Sequence, residues 1–572
     1  MADLSPDAVS RPAPHGPSHA APGPAPRSGW RARWLTVAAL GAPGLCFIVL
    51  GYEGRRVAQL LTLLLPLLLW LRMPLRTPVG IMVRRWLVTL GILMFVLDGA
   101  ARTYLLSSYQ AAPDSTLVLS AMANTNLRES LEYAAQSWRG LALFGLVLAA
   151  VAAWVWQVSG RLEQAPAAGP GRKRSLMEYA VLVLIGILLL LSAAAYANKP
   201  WRRLHPVLFW PHWVDSTEKL RKGWANQDAV RNEALERAQA AAPVVLREGP
   251  STVVLVLTDS INRDNFSLYG YGRKTTPGLQ QHQRQLGAQM QVLRNAWSVD
   301  AATLPAIGNL FSFGMPEADD AQHLLAMARV AGYKVWWISN HDDVAIEQQH
   351  ARHADVLQMI NREPGRSSMS LDGEMLDEFH TALQAPAQRK FIVVHMQGAH
   401  PHYSLRFPKG HNPFDDADDA VDAAMTQQGR PVWVRELRQN YDAALLYHDS
   451  VVSELLRLSR EAAKPKAYTG WMYLSDHGQE VGHVGNHVGH SPGTAAGYRI
   501  PAIVWQSHTA APIPADFAQR PFRADWAAWT LADLLGVQWH GQQAQRNVLH
   551  ADYRWQAPHM PQLGAQITSF TD

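Results

Sequence analysis

The sequence predicts a two-part protein of the α/β class. An N-terminal domain of five transmembrane helices precedes an α/β domain built on a mostly parallel central sheet. Three observations carry this reading. Five apolar runs fall between residues 34 and 196, short apolar runs rich in β-branched residues recur after residue 250, and potential metal ligands follow several of those later runs.

The chain has 572 residues, too many for one ordinary domain, and its composition is uneven. Residues 1–33 are dominated by Pro, Ala, Gly and Ser, which bury too little apolar surface to offset ordering entropy; a disordered tail is expected there, and it lacks the apolar centre of a signal peptide. The apolar runs that follow cover about 34–51, 58–73, 86–101, 140–158 and 177–196. A bilayer-spanning helix needs about 20 apolar residues, so the second and third runs are short by that measure. Packing all five into a soluble core would leave too few polar residues to make a surface. We therefore assign 34–197 to the membrane domain.

Basic residues set the expected orientation. Arg31 and Arg33 precede the first span, Arg72, Arg76, Arg84 and Arg85 join the second to the third, and Arg161, Arg172, Lys173 and Arg174 join the fourth to the fifth. These segments belong on the cytoplasmic side, which puts the chain after residue 197 on the other. Arg55, Arg56, Arg202 and Arg203 count against this orientation but are fewer. The net charge of +5 thus reflects membrane-flanking loops, and no nucleic-acid partner is expected. The single cysteine, Cys46, falls in the first span, so an intramolecular disulfide is excluded.

Residues 198–247 read as an interfacial connector. NKPWRRLHPVLFWPHW has the Trp, Pro and Arg content of a membrane–water boundary, although Trp201, Trp210 and Trp213 suit a protein core equally well. QDAVRNEALERAQAAA then reads as a polar helix. The loop at 103–138 faces the same side and is large enough to cover or dock a domain above it.

From 248 to 555 we expect the second domain, with 556–572 as a C-terminal tail. TVVLVL (252–257), KVWWIS (334–339), FIVVHM (391–396), WMYLS (471–475) and PAIVWQ (501–506) are continuous apolar strands, and the longer segment 430–461 is helical. This alternation is that of a parallel sheet buried on both faces. Asp259 follows the first strand. Asn340, His341 and Asp342 follow the second, His395 ends the third, and Asp476 and His477 follow the fourth. Ligands bind at the carboxyl ends of strands in such sheets, so these side chains converge on one rim.

Carboxylates and an imidazole from separate strand ends suit Zn²⁺, with Mn²⁺ as the alternative. Asp259, Asp476 and His477 supply three ligands and leave one position open. Thr303 stands just before LPAIGNLFSF, the start of a helix, where free N–H groups favour a phosphoryl oxygen and a bound metal would activate the hydroxyl. The plain alternative is that Thr303 is an N-cap; Ser298 is a weaker nucleophile candidate.

The ordered set TVVLVLTDSINRDNFSLYGYGRKTTPGL, Thr303, FIVVHMQGAHPHYSLRFP and YLSDHG resembles the membrane-anchored phosphoethanolamine transferases of the alkaline phosphatase/sulfatase superfamily, nearest to the branch that modifies the lipopolysaccharide core. The resemblance runs through both domains. It implies an alkaline-phosphatase/sulfatase-like α/β domain in the periplasm, anchored by a multi-pass domain in the bacterial inner membrane. It also implies one zinc ion, or two, held by Asp259, Thr303, Asp476 and His477, with Thr303 as nucleophile. His400 would bind the donor phosphate or a second zinc, and His490 would match a late family histidine, with His487 or His483 as substitutes. His395 would support the site from the strand end. The implied donor is phosphatidylethanolamine, and the acceptor is lipopolysaccharide core, lipid A or another envelope glycan. Two departures stand out: Asp259 replaces a usual Glu, and the disulfides of the lipid A branch are missing. The alternatives are a phosphoglycerol transferase or sulfatase-like hydrolase of the same fold, or a catalytically dead membrane scaffold.

Overall fold

The computed structural model describes residues 30–71, 75, 77–164, 176–224, 227–316, 318, 321–341, 343–362, 370–416, 418–508, 514, 516–558, 560 and 563. The tail up to residue 29, the loop residues Arg72, Arg76, Arg172, Lys173 and Arg174, Asp342 and most of the C-terminal tail lie outside them.

Each apolar run is a helix. The N-terminal part comprises α1 (Trp30–Gly51), α2 (Arg55–Trp70), α3 (Pro78–Tyr109), α4 (Thr116–Asn124), α5 (Leu127–Gln136), α6 (Trp138–Gln164) and α7 (Leu176–Ala197). Four of these, α1, α3, α6 and α7, are long and apolar enough to cross a membrane. Helix α2 has 16 residues. It rises about 24 Å, short of a hydrocarbon core of about 30 Å, and packs between its neighbours α1 and α7.

Helix α3 extends well beyond the apolar run at 86–101 because its charges are satisfied internally. The Arg84 guanidinium donates to the Trp70 carbonyl at 3.0 Å. Arg102 donates to Asp98 at 3.0 Å, and both are buried. Asp98 also accepts from the Tyr52 hydroxyl at 2.7 Å and the Trp210 indole at 3.0 Å. A charge in an apolar bundle persists only when paired in this way. The same contact pins the helix Pro206–Trp224 of the expected connector, which is tied a second time by Trp213 Nε1–H to the Pro113 carbonyl at 2.7 Å. Trp210 and Trp213 are therefore hydrogen-bonded anchors, whereas Trp201 packs against the apolar cluster around Tyr52 and Leu60. The expected polar helix at 227–242 spans Asp228–Ala241.

The second domain is built on a seven-stranded sheet. From edge to edge its strands are Met290–Leu293, Ala502–Gln506, Tyr468–Ser475, Ser251–Thr258, Arg389–Met396, Lys334–Ser339 and Val356–Met359. Ala502–Gln506 runs antiparallel to both neighbours, and the remaining pairings are parallel. All five expected strands form; the two short edge strands are additions. Strand side chains alternate between faces. Val253, Leu255 and Leu257 join one core with the helix Ala527–Leu535, while Val254 and Val256 join another with the long helix Val432–Glu461. Both faces are buried, which is why these strands read as unbroken apolar runs.

Register aligns the strand ends. Thr258 pairs with Ser475 on one side and Met396 on the other, so Asp259 and Asp476 leave the sheet side by side. The chain after Met396 passes close beneath Asp259 and turns at Gly398, where φ is +57°. A Cβ there would stand 2.2 Å from Thr258 Oγ1 and 2.6 Å from the Asp259 carbonyl. Gly398→Ala should therefore cost about 2–4 kcal/mol from strain and overlap, read as a lower urea midpoint at unchanged m-value. A midpoint equal to that of the parent protein would show that this approach is not constrained.

Candidate active site

Asp259 and Asp476 meet through the residue between them in space, Ser260. Ser260 adopts a left-handed conformation (φ +61°), which aims its N–H at Asp476 Oδ1, 3.1 Å away, and its hydroxyl at Asp259 Oδ1. His477 follows Asp476 directly. Its N–H donates to Asp476 Oδ1 at 2.6 Å, and its Nδ1 lies 2.7 Å from the Gly478 carbonyl. That second bond places the imidazole proton on Nδ1 and leaves the Nε2 lone pair facing the two carboxylates. Nε2 lies 3.6 Å from Asp476 Oδ2 and 4.0 Å from Asp259 Oδ1.

Thr303 completes the group. It is the first residue of the helix Thr303–Leu310, whose N-cap is Ala302. The N-cap alternative is thus corrected: the cap is one residue earlier, and the hydroxyl is turned inward. Thr303 Oγ1 donates to Asp259 Oδ2 at 3.1 Å and lies 3.3 Å from His477 Nε2. Ser298 instead contacts the backbone N–H of Asp300, two residues on.

The electrostatics favour a cation. Asp259, Asp476 and His477 are buried and offer ligand atoms within 4.8 Å of one another. Burial and then the Asp259 charge push Asp476 up to about 7. Burial also opposes ionisation of Asp259, but the fields of His400, His477 and His341 and the Ser260 hydrogen bond hold it low. Burial disfavours a charged His477, yet the Asp476 and Asp259 carboxylates raise it. Asp476 Oδ2 is buried without a hydrogen-bond partner. A pocket of two carboxylates, a free imidazole nitrogen and a hydroxyl fits a divalent zinc-like ion, which would satisfy that orphaned oxygen.

The other histidines divide into two sets. The His490 ring lies 4.8 Å from that of His477, and burial lowers it to about 3. Burial lowers His400 to about 4, and its field reaches Asp259. Both imidazoles are neutral at pH 7. His487 Nε2 is occupied by the His490 carbonyl at 2.9 Å, and His483 Nε2 by Asn265 Oδ1 at 2.8 Å. Of the three late histidines, His490 therefore has its ring against the catalytic group. His395 stacks under the rim, 3.0 Å from Ser339 Oγ and with its ring 4.3 Å from that of His341. Asn340 turns away to Asp372 and Ser370.

Three features had no assigned role in the sequence reading. Ser260 carried no signal, because its importance lies in a backbone conformation. His341 is buried and bridges His395 and His400, its ring 5.9 Å from the latter; only its strand-end position pointed to it. Tyr109, at the end of α3, stacks on His490 with ring centroids 6.1 Å apart. The expected cover over the domain is thus real: Gln110 accepts from the Gly493 N–H at 3.1 Å, Asn124 from the Ala345 N–H at 3.2 Å, and Glu132 pairs with Arg406 at 3.4 Å.

A family model described as Sulfatase matches residues 251–537, half of the chain. The chain belongs to the sulfatase family. It is similar to phosphoethanolamine transferase EptC of Escherichia coli (strain K12), with 27% identity over 495 residues that cover 81% of this chain and 82% of the relative. The crystal structure of the C-terminal periplasmic domain of Escherichia coli EptC in complex with Zn is similar to 55% of this chain and 90% of that one, at a TM-score of 0.50 and 26% identity. The integral membrane protein EptA of Neisseria meningitidis, a lipooligosaccharide phosphoethanolamine transferase, shares the fold over 90% of this chain and 97% of its own, at a TM-score of 0.55 and 18% identity. The two-part architecture of that membrane protein is therefore also that of this chain.

Because Asp476, pushed up to about 7, holds a proton that a cation must displace, metal affinity should fall as pH drops through 7, approaching about tenfold per unit below it. Zinc titration calorimetry in buffers of different ionisation enthalpy checks this. Affinity that is flat from pH 6 to 8, with no proton release, would contradict it.

Proposed function

We propose that the chain transfers phosphoethanolamine from phosphatidylethanolamine to an envelope glycan, lipopolysaccharide core or lipid A, through a covalent ester on Thr303. The observation that carries this is Thr303 Oγ1 lying 3.1 Å from Asp259 Oδ2 and 3.3 Å from His477 Nε2, at the start of a helix. The relatives' names and the extent of the match support it. On this reading residues 248–555 act in the periplasm and 34–197 anchor them in the inner membrane, with 198–247 as connector.

Asp259, Thr303, Asp476 and His477 would hold one zinc ion, with a second near His400 as the variant reading. When bound, zinc supplies Lewis acidity that lowers the threonine pKa and neutralises charge on the phosphoryl oxygens. The Thr303 hydroxyl gives up its proton to solvent, and Oγ1 attacks phosphorus in line. The P–O bond to diacylglycerol breaks, and diacylglycerol leaves after protonation of its oxygen. An acceptor hydroxyl then attacks the ester, loses its proton, and frees Thr303. His490, neutral because buried, is suited to donate an N–H hydrogen bond to a phosphoryl oxygen, whereas His400, whose Nδ1–H is taken by the Pro401 carbonyl at 3.0 Å, offers Nε2 as an acceptor to an incoming hydroxyl. The threonine disfavours a sulfatase reaction, which uses a nucleophile derived from Cys or Ser.

Thr303→Ala should abolish the ester, seen by intact mass after incubation with phosphatidylethanolamine, and lower transfer by about 10³-fold or more. Transfer at the parental rate by that variant would remove Thr303 from the reaction.

A further inference from the structure

One buried side chain, Arg406, grips the loop that carries His400. Its Nε donates to the His400 carbonyl at 3.0 Å, and its Nη2 donates to the Pro401 carbonyl at 3.1 Å. Its Nη1 donates to Gln397 Oε1 at 2.8 Å. The same Pro401 carbonyl accepts from His400 Nδ1 at 3.0 Å. A carbonyl cannot donate, so this bond puts the imidazole proton on Nδ1 and leaves the lone pair on Nε2. Arg406 thus fixes the acceptor that fixes the ring. The backbone before His400 has ties of its own. Gln397 and Gly398 donate their N–H groups to Asp372 at 2.9 Å each, and the Ala399 N–H donates to the Asp259 carbonyl at 3.1 Å. The bonds from Arg406 fall instead on the part of the loop that orients the imidazole.

Arg406 is itself held from the membrane domain. Glu132, on α5, lies 3.4 Å from Nη2, and the two side chains are only 12% and 4% exposed. The next residue, Tyr133, places its ring 5.8 Å from that of His402. Two adjacent residues of α5 therefore seat on the segment 402–406. A guanidinium is a rigid planar fork, suited to bridging several fixed oxygens at once. We propose that Arg406 is a positioning residue for His400, and that Glu132 sets the angle of its fork, so that the membrane domain orients an imidazole of the active site. The proposal rests on the transferase reading above and deepens it.

The step served is the second one. An incoming hydroxyl donates to His400 Nε2, which aims its oxygen at the phosphorus of the Thr303 ester. The new P–O bond forms as the bond from phosphorus to Thr303 Oγ1 breaks. The hydroxyl proton passes along the hydrogen bond to Nε2 and on to solvent, and Oγ1 regains a proton from solvent. Ester formation does not use this acceptor, because its nucleophile is Thr303 itself. Without the fork, the Pro401 carbonyl and the His400 ring are free to turn together, and the lone pair leaves the path of the entering oxygen.

The test uses the full-length zinc-loaded protein in detergent with one equivalent of phosphatidylethanolamine. Intact mass follows the Thr303 ester as it forms and as water discharges it. Arg406→Gln should slow discharge about 10- to 100-fold, the usual range for a supporting partner, while formation stays within about twofold of the parent, so that ester accumulates. Arg406→Lys, which keeps the charge and loses the fork, should recover little of this. Glu132→Gln leaves the loop's own bonds in place and should slow discharge about twofold to fivefold. The double variant should match Arg406→Gln alone, because both substitutions act through one contact. Equal slowing of the two steps by Arg406→Gln, an unchanged discharge rate, or full recovery with lysine would overturn the role of Arg406. Additive effects, or discharge at the parental rate in Glu132→Gln, would overturn that of Glu132. A parent protein that forms no ester would instead count against the proposed function and the inference that depends on it.

Discussion

Two buried carboxylates held together are the constraint on which the rest of the site depends. Parallel pairing of Ser251–Thr258 with Tyr468–Ser475 leaves Asp259 and Asp476 no choice but to emerge together. Two like charges within 4.8 Å repel by roughly 3–4 kcal/mol at an effective dielectric constant near 20, and burial adds to that. The protein supplies partial compensation. Ser260 donates to both carboxylates from a backbone conformation unusual for serine, and His477 is drawn toward its charged form. What remains uncompensated is the partnerless Asp476 Oδ2. A divalent cation held by these groups would convert the repulsion into binding energy and would acidify a threonine hydroxyl beside it.

This dependence explains which parts of the site are legible in the sequence. The strands are buried on both faces, so they appear as unbroken apolar runs, and the residues that follow them fall on one rim by topology alone. Asp259, Asp476 and His477 needed no more than that. Thr303 was ambiguous because helix starts use threonine as a cap far more often than as a nucleophile. The position of Ala302 as the cap removes the capping reading of Thr303. The late histidines share a short, Gly-rich stretch with no period to rank them, and their separation depends on which ring finds a neighbouring acceptor: His483 finds Asn265, His487 finds a carbonyl, and His490 is left against His477. The edge strands Met290–Leu293 and Val356–Met359 escaped notice because each is only four residues long and is interrupted by a glutamine.

The membrane domain was legible in outline and not in extent. Hydropathy located the spans, but α3 outgrew its apolar run because Arg84, Asp98 and Arg102 sit in the helix with their charges paired. Those polar residues looked like ends. The extension matters, since the last residues of α3 are the ones that reach Tyr109 and Gln110 to the catalytic loops. An aromatic in a predicted loop carries no label that marks it as part of a distant active site.

The Asp98 contact connects these two levels. It binds Arg102 within α3, Tyr52 from the segment after α1, and Trp210 from the interfacial helix. That helix leads through Asp228–Ala241 to the first strand of the sheet, while α3 itself leads to Tyr109 over His490. One carboxylate therefore ties together the two routes by which the membrane domain meets the catalytic domain. If the routes were independent, small tilts in the bilayer would shift Tyr109 relative to Thr303. A shared buried anchor makes such shifts costly, because moving either helix would expose an unpaired charge to an apolar bundle. The proposed reaction, which would take a lipid from the membrane and pass its head group to another molecule, would need this rigidity: the height of the membrane surface and the position of Thr303 would have to be set by the same structure.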